Sequence, residues 1–450
     1  MEMASKICGI RPMFYGWPIT ALAILAIVYS SPGESFGLIV FAKYFKSDLN
    51  IDQIQIDRIY LSSTLVAGFL SIPLGYVIDR IGIRLIISAF LAEVGLATIF
   101  LGYSSNSKML TIGIIAVRLA GQSVLYVGAI NLVSHWWIRK RGMALGITGL
   151  LHQILCVDGF PLVSRALIAA YGWHSTYRII GATALAVAMP LFGLLVRDRP
   201  EQCGLHADGD RVAPEDAEAL THPNISKSAA ARVAVLAEQA ASVPPRAVFT
   251  SSSYWLYVFA QASTLFVLAG TQFHLRSIWS ERSLPEKMDQ TVWIALGVSA
   301  GVAQLVGGLL ADRMAPHWPV AVGVMLLIPS LLALRYADNV AGATMVGLLM
   351  GASQGLVSIG INTAFPYHFG VGFLGLLQGV SNMTAVISTS IGPIVVGALS
   401  SVLKGHSTVL HILLLAPGTM AVAATTVQLR KSVLHRYRQA FANRHKSTAS

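Results

Sequence analysis

The segment GYVIDRIGIR, residues 75–84, places charged side chains between two apolar runs. Its charged residues and flanking glycines are Gly75, Asp79, Arg80, Gly82 and Arg84. A later segment, GGLLADR at residues 307–313, repeats the pattern with Gly308, Asp312 and Arg313. Each of these three residues follows its counterpart by 233 positions, which indicates that the chain contains an internal repeat.

The composition indicates a membrane protein. Of the 450 residues, 54% are hydrophobic and 12% are charged, whereas soluble domains carry about 25% charged residues. A bilayer span needs about 20 apolar residues, and in lipid the backbone must satisfy its own polar groups, so each span is expected to be a helix. We predict twelve spans: Phe14–Phe36, Ile59–Ile78, Leu85–Tyr103, Met109–Trp137, Met143–Tyr171, Tyr177–Val196, Tyr254–Gln272, Gln290–Ala311, Pro319–Tyr336, Ala341–Tyr367, Phe373–Val402 and Val409–Leu429.

The repeat divides these spans into two six-helix halves. Further glycines keep the same offset: Gly142 with Gly375, Gly146 with Gly379, and Gly159 with Gly392. We predict an all-α integral membrane protein with halves at residues 1–197 and 254–429, a cytoplasmic linker at 198–253 and a basic tail at 430–450. Parallel repeats of this kind usually place a substrate site at their interface near mid-membrane. The linker has room for one short amphipathic helix, and the sequence assigns it no function.

Several function classes find no support in the sequence. The formal charge of +11 fits basic loops against anionic lipid, and no basic, aromatic-interleaved domain suggests nucleic-acid binding. No Cys/His spacing suggests a metal site, no glycine–lysine loop suggests ATP binding, and no nucleophile motif suggests an enzyme. We therefore expect no cofactor, and we expect a monomer whose partners are a small solute, protons and the bilayer.

Lysine and arginine are more frequent in the loops that would be cytoplasmic if both termini were cytoplasmic. The first eleven residues are too short and polar for a cleaved signal peptide, so the first span is expected to direct insertion. We predict a multi-pass protein of the cell (inner) membrane with both termini inside.

The repeated segments carry a family resemblance. The sequence resembles the major facilitator superfamily of secondary transporters over nearly its whole length. GYVIDRIGIR resembles the family's loop motif between the second and third helices, and HWWIRKRGMALG resembles the loop after the fourth. SPGESFG, YGW and RDRPEQCGL resemble a bacterial branch near the monocarboxylate and oxalate–formate transporters. The second loop copy departs from the motif at Ala315 and His317.

The resemblance implies a cytoplasmic gate, and elementary physics suggests how it would work. Gly75 would let a neighbouring helix approach closely, and helix-terminal amides and arginines could hold the Asp79 carboxylate. Such a cluster would latch the cytoplasmic ends and break when the transporter opens inward. The alternative is a static loop that is positively charged only to stay inside. The predicted gate residues are Gly75, Asp79, Arg80, Gly82, Arg84, Gly308, Asp312 and Arg313.

Charges at membrane depth are the candidates for substrate and proton binding, because they are costly there. Glu34 follows the helix-breaking Pro32-Gly33, and the alternative is a carboxylate at the outer rim. Arg118 resembles the family's fourth-helix arginine, with Gly121-Gln122 in reversed order. We expect it to bind a carboxylate or to pair with Asp158, and the alternative is a structural ion pair. His152 and Glu93 are expected to be packing residues, and Arg165 is expected to reach the headgroups.

The second half offers amides where the first half has charges. It has no acid or lysine in the middle of a span, and its eleventh helix lacks the basic residue that some anion-exchanging relatives carry. The predicted substrate and proton-coupling residues are Arg118, Asp158, Glu34, Gln122, Asn362 and Asn382.

These features predict a secondary transporter that moves a small organic solute by alternating access. A monocarboxylate-like anion coupled to protons is the preferred reading, with Asp158 or Glu34 as the proton carrier. One alternative is a proton-coupled efflux antiporter for amphipathic compounds. Another is a transporter-like receptor or assembly component that does not transport.

Overall fold

The structure is a computed structural model that describes residues 14–203, 205–209, 242–281, 285, 287–403 and 405–415. Its helices in the first half are α1 Gly16–Ser30, α2 Ser35–Leu49, α3 Gln53–Ile81, α4 Ile83–Leu101, α5 Ser107–Arg118, α6 Tyr126–Trp136, α7 Arg141–His152, α8 Phe160–Thr183 and α9 Met189–Leu195. Those that follow are α10 Pro245–Phe249, α11 Ser252–Phe273, α12 Leu275–Glu281, α13 Lys287–Ala311, α14 His317–Tyr336, α15 Val340–Phe369, α16 Leu374–Val402 and α17 His406–Leu413.

Three turns of π-helix join α-helices in the first half. They are Leu119–Leu125, Gln153–Gly159 and Ala184–Ala188. Such turns are rare and often occur at functional sites. The first follows Arg118 directly, and the second contains Asp158, so both lie beside residues predicted to bind solute or protons.

Polar residues just before apolar runs determine where several helices begin. A side chain accepts a backbone N–H group three positions on, which satisfies one of the free amides of the first turn. The pairs are Asp52 with Gln55 at 2.6 Å, Asn106 with Met109 at 3.0 Å, and Asn339 with Gly342 at 2.8 Å. Asn106 and Asn339 are 233 positions apart, so the repeat extends to helix capping.

Ten helical stretches of the described chain are long and apolar enough to cross a membrane. One of them, Arg141–Leu195, has 55 residues and contains two predicted spans. Gly172 divides it with a φ of 74°, in the left-handed region that glycine tolerates. The predicted all-helical membrane fold is confirmed, while most of the twelfth span, Val409–Leu429, and the tail at 430–450 lie outside the described residues.

The first span extends further than its hydropathy suggested. A short 3-10 turn, Ser31–Gly33, interrupts it, and helix resumes as α2 to Leu49. In α2, Phe41 and Phe45 are buried while Lys43 and Lys46 are exposed. The end predicted at Phe36 was therefore wrong, because the lysines lower the hydropathy of a helix that is amphipathic rather than wholly apolar.

The halves meet at one end of the bundle through glycines on two helix pairs. A Cβ atom on Gly75 of α3 would overlap the backbone of Gly375 in α16, and the converse holds. Gly142 of α7 and Gly308 of α13 approach each other in the same way. They are the repeat counterparts of Gly375 and Gly75, each at an offset of 233 positions. Ser71 also donates a hydrogen bond to the Gly379 carbonyl at 2.8 Å. The helix backbones are thus in contact at two equivalent places, Gly75 with Gly375 and Gly142 with Gly308. We call the end of the bundle that contains these two contacts the gate face.

We expect Gly75→Ala and Gly308→Ala each to destabilise the closed gate face, because the new methyl group has backbone against it. Overpacking of this kind costs about 1–3 kcal/mol. Thermal unfolding of the purified protein should show a lower midpoint for both variants. Gly193→Ala is the matched control, because the nearest atom to its Cβ would be Ser88 Oγ at 3.7 Å. Equal midpoints for all three variants would contradict the close approach.

Candidate functional site

At the gate face, Asp79 binds the start of a helix in the other half. Its carboxylate accepts the N–H groups of Gly375 and Leu376, each at 2.8 Å. These amides belong to the first turn of α16, where backbone N–H groups lack partners within the helix. The positive end of the helix dipole adds to the attraction.

Asp312 makes the equivalent contacts in the opposite direction. It accepts the N–H groups of Gly142 at 2.6 Å and Met143 at 2.8 Å, at the start of α7. Burial raises the pKa of Asp312, and the hydrogen bonds from Met143 and Gly142 act in the opposite direction. The two carboxylates therefore fasten the halves together at symmetry-related places.

Among the arginines of the two segments, Arg84 binds α9 and the start of the linker, and the others are exposed. Arg84 donates its backbone N–H to Asp198 at 2.6 Å and its side-chain Nε to the Gly193 carbonyl at 2.8 Å. Arg80 lies over the ring of Tyr76, and Arg313 is exposed. Helix-terminal amides and arginines were both predicted as partners of Asp79, and the hydrogen-bond donors found are the amides of Gly375 and Leu376. Gly82, with a φ of 109°, separates α3 from α4.

A cavity of about 270 Å³ lies beside Asp312, between the two halves. Thr363 of α15 lines it and is only 4% exposed. Because Thr363 is buried between the halves, a bulky thiol reagent should reach a cysteine at this position faster when the halves separate at the gate face.

We expect Asp79→Asn and Asp312→Asn to increase this separation, because each removes a charge-assisted acceptor of two hydrogen bonds. Such bonds contribute about 1.5–3 kcal/mol, so labelling of a Thr363→Cys reporter by a bulky maleimide should accelerate about tenfold or more. The exposed Asp57, near the opposite end of α3, provides the control Asp57→Asn. If neither gate variant labels faster than this control, the carboxylates do not hold the face closed.

In the middle of the first half, the 3-10 turn of the first span packs closely against the end of α5 and the π-helical turn that follows it. A Cβ on Gly33 would overlap the Val117 carbonyl, and one on Gly121 would overlap the Ser30 carbonyl. Because only glycine fits at these contacts, the break between α1 and α2 lies directly against Arg118. Glu34, the residue after the turn, interacts electrostatically with Arg118.

Arg118 is 1% exposed and only partly satisfied. Its Nη2 donates to Gln122 Oε1 at 2.9 Å, and its guanidinium carbon lies 4.5 Å from the centre of the Tyr60 ring. Within the described part of the chain, its Nε and Nη1 have no hydrogen-bond partner. A buried guanidinium with two unpartnered nitrogens is costly, and an anion is the group that best relieves this cost.

Tyr60 also connects Arg118 to the neighbourhood of Glu34. Its hydroxyl is hydrogen-bonded to the hydroxyl of Ser35, the residue after Glu34. The Tyr60 ring therefore stacks against the guanidinium of Arg118, while the Tyr60 hydroxyl is hydrogen-bonded to α2. Sequence reasoning missed Tyr60, because an aromatic residue near a span end is common and its neighbours come from other helices.

Two amides of the second half contact the first half near Arg118. Asn382 Nδ2 donates to the Gln122 carbonyl at 3.3 Å, and Tyr126 interacts with the side chains of Ser358 and Asn362. The predicted residues Gln122, Asn362 and Asn382 therefore lie together at the interface between the halves. Tyr126 and Ser358 are additional members that the sequence did not single out.

The structure does not pair Asp158 with Arg118. Asp158 accepts a weak hydrogen bond of 3.4 Å from Gln153 and lies against Gly297 of α13. His152 packs between Phe36 and Tyr126, with ring centres 6.3 and 5.4 Å away. The acid that interacts electrostatically with Arg118 is Glu34, because the preceding Gly33 packs against the backbone of Val117 and Arg118.

Among the described residues, no group of three or more His, Cys, Asp or Glu side chains could hold a metal ion. The side chains around Arg118 offer a carboxyl group, a guanidinium, hydroxyls and amides. Such a set can bind an anion and a proton.

The sequence profile of the Major Facilitator Superfamily matches residues 22–393, so the chain belongs to this superfamily and is a membrane transporter. Among curated proteins, none matches the chain significantly.

Solved structures provide the comparison of folds. A structure of the major facilitator transporter FucP in the outward conformation is 18% identical, with a TM-score of 0.64. The E. coli fucose:proton symporter FucP, in a variant form, is 15% identical, with a TM-score of 0.66. Both alignments cover 92% of this chain and 99% of the other. The chain therefore has the major facilitator fold of two six-helix repeats, and at these identities the likeness extends to the fold alone.

Proposed function

We propose that this transporter moves a small organic anion of the monocarboxylate type together with a proton. The observation that carries the proposal is the buried guanidinium of Arg118, with its unpartnered Nε and Nη1 beside Glu34. A guanidinium in a low-dielectric site is the side chain best suited to a carboxylate. The solute's carboxylate would bind where these nitrogens now have no partner.

Glu34 is the proposed proton carrier. When ionised, it neutralises Arg118 and competes with an anionic solute for the guanidinium. When it takes up a proton, it loses its charge, and Arg118 becomes available to the solute. Anion and proton would then be bound together and released together, which is the requirement for symport. In both protonation states, the ring of Tyr60 would hold the guanidinium in place, and the hydrogen bond to Ser35 would hold the ring.

The second half would complete the site with neutral groups. Asn362 and Asn382 already reach Tyr126 and Gln122 across the interface. Alternating access requires these contacts to break or rearrange as the halves move. The amides would then bind the polar remainder of the solute and determine its size, while Arg118 binds the carboxylate.

The same transport assay distinguishes the proposed anion from other classes of solute. The similar FucP structure is named a fucose:proton symporter, which supports proton coupling as a capacity of this fold. A neutral sugar would not relieve the unpartnered guanidinium, whereas an anion would. Export of amphipathic compounds, or no transport at all, would be indicated by failure of the anion panel.

To test the proposal, we would reconstitute the protein in liposomes that contain a pH-sensitive dye and add formate, acetate, lactate, pyruvate, oxalate or fucose. The wild type should acidify the lumen with at least one monocarboxylate. Arg118→Gln should lose this acidification and also lose solute counterflow. Glu34→Gln should lose proton-coupled accumulation but retain counterflow, because only the proton site is removed.

Two control variants separate a specific role of Arg118 and Glu34 from a general loss of function. Arg178 lies over Tyr103 at 5.0 Å much as Arg118 lies over Tyr60, so Arg178→Gln is a matched control for loss of a stacked arginine. Asp158→Asn should keep proton coupling. Loss of coupling in Asp158→Asn but not in Glu34→Gln would transfer the proton role to Asp158, and transport that survives Arg118→Gln would refute the anion site.

We further propose that the gate face is cytoplasmic, that both termini lie inside the cell membrane, and that the protein acts as a monomer. Cys203 is exposed and lies in the linker on the gate face. A membrane-impermeant maleimide should therefore label Cys203 in inside-out vesicles about tenfold faster than in right-side-out vesicles. Faster labelling in right-side-out vesicles would reverse the proposed orientation.

A further inference from the structure

The linker after α9 contains a buried carboxylate bound to the gate loop. Asp208 is in the turn Ala207–Gly209, and its side chain is 4% exposed. It accepts the N–H group of Arg139 at 2.8 Å and, more weakly, those of Ile138 and Lys140 at 3.3 Å. The Arg139 side chain adds an ion pair at 3.8 Å. Three successive amides of one loop thus converge on a single linker residue.

The same loop presents the amides that bind the gate. The loop leads into the first turn of α7, where the N–H groups of Gly142 and Met143 donate to Asp312 of the other half. The loop between α6 and α7 is therefore held on one side by the linker and on the other by the opposite half. Asp208 and Asp312 are close enough for their charges to interact.

The far end of the linker repeats this arrangement in the second half. Ser242 Oγ accepts the N–H group of Gly372 at 2.8 Å, and the Val243 N–H donates to the Phe369 carbonyl at 3.0 Å. Gly372 follows Arg139 by 233 positions, so the two ends of the linker bind equivalent amides. The loop from Gly370 then presents the amides of Gly375 and Leu376 to Asp79.

We propose that Asp208 and Ser242 are positioning residues of the gate. Each fixes a loop so that its two gate amides point at the carboxylate of the opposite half before the halves close. A loop that is already ordered loses less conformational entropy on closure, so the closed face is favoured. The inference rests on the gate of the proposed alternating-access cycle and not on the identity of the solute.

The experiment measures gate-face opening in the full chain without any solute, by bulky-maleimide labelling of Thr363→Cys after Cys8, Cys156 and Cys203 are replaced by alanine. Asp208→Asn keeps a residue that tolerates the left-handed φ of 61° but removes the charge. Ser242→Ala removes the acceptor. Both should label about threefold to tenfold faster, the range expected for loss of a hydrogen bond.

Conservative and matched variants separate positioning from general destabilisation. Ser242→Thr retains the hydroxyl and should label at the original rate. Asp57→Asn and Ser252→Ala change exposed residues and should also leave the rate unchanged. Equal acceleration by Ser242→Ala and Ser242→Thr, or no acceleration by either linker variant, would overturn the proposal.

Double variants provide a second test that a merely structural role would not pass. Asp208 and Asp312 act on one loop, so the effects of Asp208→Asn and Asp312→Asn should be clearly non-additive. Asp208→Asn and Asp79→Asn act on different loops and should add. Ser242→Ala should be non-additive with Asp79→Asn, because both act on the loop before α16, and additive with Asp312→Asn. Additivity in every pair would overturn the inference, and failure of the organic-acid assay would leave it intact.

Discussion

The first amides of an α-helix have no partner in their own backbone, and this protein satisfies two such sets with carboxylates from the opposite half. Asp79 binds the start of α16, and Asp312 binds the start of α7. Each contact requires the helices to approach until their backbones touch, which explains the glycine pairs beneath both carboxylates. The same interaction, made twice, connects the two halves at the gate face.

The gate and the central site share helices, and this sharing provides their mechanical coupling. Tyr60 and Asp79 are both on α3, 19 residues apart, or about 28 Å along a helix at 1.5 Å per residue. Asn382 and the gate amide of Gly375 are both on α16. Because a packed helix moves largely as a rigid body, separation at the gate face also displaces the groups around Arg118.

The two halves have the same fold but different chemistry in the centre. The first half supplies the ionisable groups of Glu34 and Arg118, and the second half supplies amides and hydroxyls that reach across the interface. At the gate, in contrast, both halves retain the same acid and the same receiving amides. A symmetric gate suits two halves that close against each other, whereas an asymmetric centre suits an asymmetric solute.

The sequence alone indicated the membrane setting, the two repeated halves, and Asp79 and Asp312 as paired acids. These features follow from local composition and from a constant offset of 233 positions, and neither depends on how the helices pack. It also brought attention to Arg118, Glu34 and the amides Gln122, Asn362 and Asn382. It misjudged the end of the first span, because hydropathy alone does not distinguish an amphipathic helix from a loop.

Only the tertiary structure decided which groups meet. The partners of Asp79 and Asp312 are backbone amides, which carry no side-chain signature, so the sequence suggested both amides and arginines for Asp79 and did not decide between them. The choice of Glu34 over Asp158 beside Arg118 depends on the interlock of Gly33 and Gly121, two contacts between helices far apart in the chain. The role of Asp208 and Ser242 likewise appears only when a polar linker is folded against two loops. In each case the deciding quantity is the distance between segments, and helix rotation and packing determine that distance.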